Sequence, residues 1–127
     1  MKKELLSIAL AAVTAAAAAD DSRPGSAMVD LARTSGCLTC HHIDPVAQGP
    51  NDSLPVGPAW RDVAQKYQGR PDALDELTRT VMKGSNPYDS HWKGSAAGLA
   101  MPPNAVAIKE SDARELVRWI LSLANKS

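Results

Sequence analysis

The stretch "SGCLTCHHIDP", Ser35–Pro45, contains both cysteines of the chain and two of its three histidines. Two residues separate Cys37 from Cys40, and His41 and His42 follow at once. This spacing has four chemical interpretations: a disulfide, a thiol redox pair, a zinc site, or covalent attachment of haem. The rest of the sequence distinguishes among them.

Three of these interpretations are less favoured. A disulfide between Cys37 and Cys40 would close a very short loop, which gives little stabilisation. A thiol redox pair is expected beside a βαβ unit, and no such pattern is present. A zinc site needs four ligands, but His41 and His42 are adjacent and point in different directions, and the sequence has no second paired ligand motif.

Covalent haem attachment explains every residue of the C-x-x-C-H pattern. Thiols at positions i and i+3 stand about one helical turn apart, so each can add to one vinyl group of the same haem. The histidine that follows projects its imidazole beneath the iron. The sequence therefore predicts one haem c, bound through Cys37 and Cys40, with His41 as an iron ligand and His42 as an exposed neighbour.

The second iron ligand is predicted to be Met101. It lies in "LAMPPN", where the two prolines after it fix the backbone and hold the thioether at one distance. Met82 lies in a helical pattern and is expected to be a core or surface residue, and His91 is expected to bond within its own loop or to face solvent. Histidine and methionine together favour an electron carrier over a gas-binding or peroxide-reacting site.

The first nineteen residues have the pattern of a secretory signal. Lys2 and Lys3 precede an apolar run over residues 5–13, and Ala17–Ala19 offer a cleavage site before Asp20. The run is shorter than the roughly 20 residues that span a bilayer, so a permanent anchor is less favoured. We expect export to the periplasm, cleavage of residues 1–19, a domain of residues 20–127, and no stable membrane insertion.

The charge of the expected mature chain is close to zero. Without Lys2, Lys3 and Glu4, the 14 Lys and Arg become 12 and the 14 Asp and Glu become 13, a formal net charge of −1. This balance argues against a nucleic-acid partner and against a polybasic membrane surface.

The fold class is predicted to be all-α. Four segments carry apolar residues at helical spacing, and none alternates with period two. Pro58 is expected in the first turn of the second helix. Two long loops rich in Pro and Gly, residues 43–58 and 84–110, connect the helices, and loops of this length usually line a site. The apolar sets are Met28, Leu31 and Ala32; Trp60, Val63, Ala64 and Tyr67; Ala73, Leu77 and Val81; Leu116, Val117, Ile120 and Leu123.

Six segments make the chain similar to the small bacterial class I monohaem cytochromes c. They occur in the family's order: "GCLTCHHID", "VGPAWRDVAQKY", "MKGS", "HWKG", "MPPNAV" and "SDARELVRWILSL". The resemblance implies the cytochrome c fold, about four short helices and long loops around one covalently bound haem. It also implies that the first and last helices pack across each other.

The resemblance assigns further site residues. It implies that the carbonyl of Pro58 accepts a hydrogen bond from His41 Nδ1, that Trp92 reaches a haem propionate, and that Asn104 orients or hydrogen-bonds near the sulfur of Met101. The chain departs from compact members of the family in its longer loops, residues 45–55 and 86–99. Ala32 also stands where an aromatic residue is common, so the helix packing is expected to differ there.

The resemblance also implies a function. The expected protein is a monomeric periplasmic carrier that cycles Fe(III)/Fe(II) between a dehydrogenase or reductase and an oxidase or other acceptor. The alternative is a tightly bound haem c subunit of a periplasmic dehydrogenase. In either case, we expect redox partners to dock at the rim of the haem site, near Cys37, Pro58 and Leu99.

Overall fold

The computed structural model describes residues 25–125, which lie outside the predicted signal peptide and its cleavage site. This part of the chain contains four α-helices, α1 (Gly25–Thr34), α2 (Trp60–Lys66), α3 (Ala73–Lys83) and α4 (Glu110–Ser122), with four short 3-10 turns. No β-strand occurs between residues 25 and 125; the only pairing is one isolated bridge between Lys93 and Ala96. The predicted all-α class with four short helices is confirmed.

Helix α4 is the centre of the core and packs against each of the other three helices. Its buried face carries Leu116, Val117 and Ile120, as the helical spacing predicts. Leu123 is buried just beyond the end of the helix. Because one helix supplies the common surface, the remaining elements are arranged around it.

Helix α1 packs against α4 through a face that contains Met28 and Ala32, which are 1% and 0% exposed. The two helices also approach closely at Gly25, where a Cβ would lie 3.3 Å from the indole nitrogen of Trp119. Gly36, with φ of 76°, reverses the chain after α1 and delivers it to Cys37.

Helix α2 begins at Trp60, so Pro58 lies before the helix and not in its first turn as predicted. The first helical hydrogen bond is accepted by Ala59, whose carbonyl lies 3.1 Å from the amide nitrogen of Val63. The carbonyl of Pro58 is therefore not used by the helix. It remains available to a partner outside it.

The two long loops are joined to each other by backbone hydrogen bonds. Ala97 donates to the carbonyl of Pro55 (2.8 Å), and Gly98 donates to that of Val56 (2.9 Å). A Cβ at Gly98 would lie 2.6 Å from the Val56 oxygen, so only glycine fits at this crossing. The loops thus form one continuous wall beside the helices. In the described range, no helix has the length and apolar character needed to cross a membrane.

Candidate functional site

A cavity of about 390 Å³ lies among α2, α3, α4 and the joined loops. Six of the seven predicted site residues line it; Asn104 does not. The six are Cys37, Cys40, His41, Pro58, Trp92 and Met101. Residues that are up to 64 positions apart in sequence therefore meet at one site.

The cysteine motif forms a single turn at the wall of this cavity. The amide of His41 donates to the carbonyl of Cys37 (3.1 Å), so Cys37, Cys40 and His41 share one helical turn. Both thiols are half-buried and are not bonded to each other, and burial raises the pKa of Cys37. Within residues 25–125, no group of three or more His, Cys, Asp or Glu side chains is placed to hold a metal ion.

The imidazole of His41 has a fixed orientation. Its Nδ1 lies 2.8 Å from the carbonyl oxygen of Pro58, as the resemblance implies. The ring stacks on Trp60, with centroids 5.9 Å apart and planes inclined by 25°. Burial lowers the pKa of His41; the hydrogen bond to Pro58 opposes this and the charge of His42 adds to it. A neutral ring that donates from Nδ1 leaves the lone pair of Nε2 available as a ligand.

The backbone around His41 is paired with the segment that leads into α2. The carbonyls of Cys40 and His42 accept hydrogen bonds from the amides of Gly57 and Trp60, both at 2.8 Å. A Cβ at Gly57 would lie 2.9 Å from Cε1 of His41 and 3.0 Å from the carbonyl oxygen of Cys40. Glycine is therefore required at this position by space. Gly57 and Trp60 were not predicted as site residues, and Trp60 was predicted only as an apolar residue of the second helix, although both lie in the quoted segment "VGPAWRDVAQKY".

Met101 is half-buried, and its backbone is attached to the end of α3. Its amide donates to Oγ of Ser85 (2.8 Å), and the amide of Ser85 donates to the carbonyl of Met101 (2.9 Å). Met82, in contrast, packs against the hydrophobic core and does not line the cavity. The structure thus separates the two methionines as the sequence predicts.

The side chain of Asn104, which the resemblance implies orients Met101 or hydrogen-bonds near its sulfur, is directed to backbone carbonyls. The side-chain amide nitrogen lies 2.7 Å from the carbonyl of Pro102 and 3.4 Å from that of Val81. Both donors of the amide are directed to backbone carbonyls, and the amide of Asn104 also bonds to Val81 (3.0 Å). Asn104 holds the loop against α3, which can orient Met101 only indirectly.

Trp92 is half-buried in the wall of the cavity. The ammonium group of Lys66 lies 4.8 Å from the centre of its ring and donates to the carbonyl of His91 (2.8 Å). These contacts anchor the loop of residues 86–99 to the end of α2. The hydrogen bond from Trp92 to a haem propionate stays a prediction.

His42 is exposed, as predicted, and His91 is also exposed but forms a hydrogen bond outside its own loop. Its Nδ1 lies 3.0 Å from the hydroxyl of Tyr67, just after α2, and not from a group in its own loop. Tyr67 is buried, and its hydroxyl also lies 3.3 Å from Oε1 of Glu76. If Tyr67 donates to Glu76, Nδ1 of His91 must carry the proton that it shares with Tyr67.

Burial raises the pKa of Tyr67, and the negative charge of Glu76 raises it further. Glu76 is itself paired with Arg70 (2.5 Å), whose guanidinium carbon lies 4.9 Å from the centre of the Tyr67 ring. Tyr67, Glu76 and His91 all line the cavity, and none of the three was predicted as a site residue. Their positions depend on the approach of a distant loop, which no local pattern reveals.

The residues present fit a haem attached by two thioether bonds. Two thiols one turn apart, an imidazole with a fixed tautomer and a thioether all line one cavity. Much of the remaining wall is apolar and includes Leu77, Val81 and Leu116. An apolar wall with few converging polar groups is typical of a cofactor site.

Comparison with known proteins gives the same answer. Residues 25–124 match the family model described as "Cytochrome c". The chain belongs to the cytochrome c family.

Individual relatives cover most of the chain. It is 37% identical over 93 residues to cytochrome c-552 of Hydrogenobacter thermophilus, covering 73% of this chain and 78% of that protein. It is 39% identical over 100 residues to cytochrome c-551 of Allochromatium vinosum, covering 77% and 89%. The crystal structure of Nitrosomonas europaea cytochrome c552 matches with a TM-score of 0.57 and 34% identity, over 75% of this chain and 98% of that one.

Membership of the cytochrome c family confirms the fold and the cofactor. The protein carries a covalently bound haem c, and Cys37 and Cys40 form its C-x-x-C-H attachment motif. It is an electron-transfer protein and not an enzyme. When bound, the haem iron supplies the one-electron chemistry, and the residues described above control its surroundings.

Proposed function

We propose that this protein is a periplasmic one-electron carrier that cycles between Fe(III) and Fe(II). It would accept electrons from a dehydrogenase or reductase and pass them to an oxidase or other acceptor. The observation that carries the proposal is the meeting of His41 and Met101 at the cavity that also contains both attachment cysteines. Iron ligation by one imidazole and one thioether raises the reduction potential and leaves no open position for a substrate.

The surroundings of these two side chains support the assignment as ligands. The bond from His41 Nδ1 to Pro58 favours the tautomer whose Nε2 can bind iron. The backbone of Met101 is held on α3, so its thioether has a restricted reach. Trp92 would donate to a propionate, and Asn104 would hold the loop that carries Met101.

The methionine ligand is tested with the oxidised holoprotein and a matched pair of variants. Thioether-ligated ferric haem c gives a weak absorption band at the red end of the spectrum. Met101→Ala should remove this band and lower the reduction potential, because the raised potential depends on the sulfur ligand. Met82→Ala removes a methionine from the core and should leave the band intact. A band that survives in Met101→Ala would disprove the assignment.

Redox partners would dock at the rim of the cavity, which we define as Val56, Gly98, Leu99 and Ala100. Val56 and Leu99 are 53% and 81% exposed. The stretch of residues 95–108 contains no Asp, Glu, Lys, Arg or His. An uncharged rim fits an apolar docking face on the partner and predicts electron-transfer rates that depend little on ionic strength.

Leu99→Glu tests this docking surface. The added charge should slow electron transfer to the partner and introduce a dependence on salt, because a desolvated carboxylate opposes an apolar contact. Val106→Glu is the control, since Val106 is 100% exposed and does not line the cavity. Equal rates for the two variants would place the docking surface elsewhere.

Export and processing complete the proposal. Residues 1–19 would act as a signal peptide, and residues 20–127 would form the mature monomer, free of the membrane, in the periplasm. The basic start and the Ala17–Ala19 cleavage site support this assignment. N-terminal sequencing of the protein from a periplasmic extract should begin at Asp20.

A second candidate function is that of a tightly bound haem subunit of a periplasmic dehydrogenase. The joined loops favour it, because the bonds from Ala97 and Gly98 to residues 55–56 create a larger fixed surface beside the rim. Isolation from the native source separates the two functions. A stoichiometric complex that survives high salt supports the subunit, and a free protein supports the carrier.

The role of the loop of residues 45–55 can be tested by shortening residues 48–54. Gly49 donates to the carbonyl of Ser53 (3.0 Å), so this part of the loop closes on itself and can be reduced without breaking the join to residues 97–98. If the loop serves a specific partner, electron exchange with that partner should slow. Unchanged rates with every physiological partner would remove this role.

A further inference from the structure

The backbone of Met101 is held by two hydrogen bonds to a single residue. Ser85 accepts the amide of Met101 at its Oγ (2.8 Å) and donates its own amide to the carbonyl of Met101 (2.9 Å). Ser85 follows directly after the glycine that ends α3. The two bonds therefore attach Met101 to the end of a helix whose other residues pack against α4.

Few other groups can replace this attachment. Pro102 and Pro103 have no backbone N–H, so the next amide along the segment that can donate is that of Asn104. That amide is committed to the carbonyl of Val81 (3.0 Å). The segment of residues 101–104 is thus held at its two ends, and Ser85 is the partner at the end that carries the thioether.

Gly84 keeps the two segments close enough for these bonds. Its φ is 80°, and a Cβ there would lie 2.8 Å from the carbonyl oxygen of Met101 and 3.1 Å from the backbone nitrogen of Pro103. A larger residue would push the Met101 segment away from Ser85. The glycine and the serine therefore act as one unit, in which Gly84 permits the approach and Ser85 forms the bonds.

We infer that Ser85 is the positioning residue for Met101, acting through its hydroxyl to keep the thioether at the cavity. This inference rests on the proposed ligation by Met101. Ser85 would neither bind the iron nor transfer an electron; it restricts where the backbone of Met101 can move. Its loss should make the thioether easier to displace by another ligand while leaving the covalent haem attachment unchanged.

The test is competition by imidazole in the oxidised holoprotein, followed at the absorption band of thioether-ligated ferric haem. Ser85→Ala deletes the hydroxyl and should lower the imidazole concentration that half-bleaches the band by about fivefold, the equivalent of one ordinary hydrogen bond. Ser85→Thr retains a hydroxyl and should behave as the wild type does. Ser122→Ala, which removes a serine bond to the carbonyl of Trp119 remote from the cavity, is the matched control.

Hydrogen exchange supplies a second measurement that does not depend on the iron. The amide of Met101 should exchange about fivefold faster in Ser85→Ala than in the wild type, and amides of α4 should be unchanged. Equal imidazole titrations and equal exchange for Ser85→Ala and the wild type would overturn the inference alone. A wild-type holoprotein without the band would overturn both the inference and the proposed ligation.

Discussion

The two sides of the cavity are built in different ways. His41 lies in a segment that is paired with residues 57–61 along the backbone, and its ring is covered by Trp60, which is 4% exposed. Met101 lies in a loop with exposed neighbours and is attached to α3 through Ser85. The histidine is thus held by paired backbone segments and a buried ring, whereas the backbone of the methionine is held by hydrogen bonds to Ser85.

This difference predicts an order of events under stress. Moving the imidazole requires the separation of two backbone segments and the exposure of buried aromatic surface. Moving the thioether requires only that a loop detach from the end of α3. We therefore expect the methionine to leave the iron before the histidine when denaturant, heat or a competing ligand is applied.

The largest predicted effect comes from breaking the cover of His41 with Trp60→Ala. Trp60 stacks on the imidazole and meets Trp119 edge to face, with centroids 5.8 Å apart. Removing a buried tryptophan lowers the free energy of unfolding by about 3–5 kcal/mol, and denaturant unfolding of the holoprotein measures this loss. Trp119→Ala is the control; Trp119 is only half-buried and does not stack on His41, so its loss should cost less. Equal losses in the free energy of unfolding for the two variants would show that the stack of Trp60 on His41 adds no stability.

The next effect tests whether the space beside His41 is as restricted as the structure indicates. Gly57→Ala places a methyl group 2.9 Å from the imidazole and should cost about 1–3 kcal/mol, because the backbone pairing prevents relaxation. Gly69→Ala is the control, since Gly69 has a φ of 77° but no atom within 4 Å of its Cβ position. That variant should cost about 1–2 kcal/mol from backbone strain and should leave the haem spectrum unchanged. A normal spectrum for Gly57→Ala would contradict the tight contact.

What the sequence predicted, and what it did not, follows from the distance over which each contact acts. Cys37, Cys40 and His41 were predicted because their chemistry is contained in five consecutive residues, and the helices because the apolar spacing is local. The hydrogen bond between Ser85 and Met101 joins residues 16 positions apart, and the hydrogen bond between Tyr67 and His91 joins residues 24 positions apart. Such contacts depend on how loops settle against helices, so no local pattern contains them.

Pro58 and Asn104 show a different reason for a partial prediction. Both were assigned to the site from the resemblance, and both lie close to it. Pro58 precedes α2, and for that reason its carbonyl is free to meet His41. The side-chain amide of Asn104 could donate to a sulfur or to backbone carbonyls, and the carbonyls are the stronger acceptors. Residue type alone does not decide such a choice.

On the methionine side, Asn104→Ala should have a moderate effect. It removes the bonds to the carbonyls of Pro102 and Val81 but leaves the backbone bond of residue 104 to Val81 in place. We expect a loss of about 1 kcal/mol in the free energy of unfolding. Imidazole should also displace the thioether more easily than in the wild type, while the bond from His41 to Pro58, followed by NMR, should not change. A variant that loosens both sides equally would refute the independence of the two attachments.

The smallest effect at neutral pH is expected from Tyr67→Phe, which changes a wall of the cavity that holds neither proposed ligand. Glu76 keeps its bond to Arg70, and the exposed His91 can bond to water, so the loss should be below about 1 kcal/mol. This loss should shrink at alkaline pH, because the wild type then loses stability that Tyr67→Phe keeps. Burial raises the pKa of Tyr67, so the unfolded chain loses this proton first, and stability falls as pH rises above about 10, the ordinary tyrosine value.

Tyr67→Phe should remove that part of the alkaline loss, because phenylalanine has no proton to release. Denaturant unfolding of the holoprotein from neutral to alkaline pH measures it; other alkaline titrations contribute equally to both proteins and cancel in the difference. Tyr88→Phe is the control, since Tyr88 is 88% exposed. Parallel stability curves for Tyr67→Phe and the wild type would mean that the buried hydroxyl titrates as it does in solvent. A curve that flattens only in Tyr67→Phe, with the thioether band unchanged, would confirm that this wall contributes stability without holding either ligand.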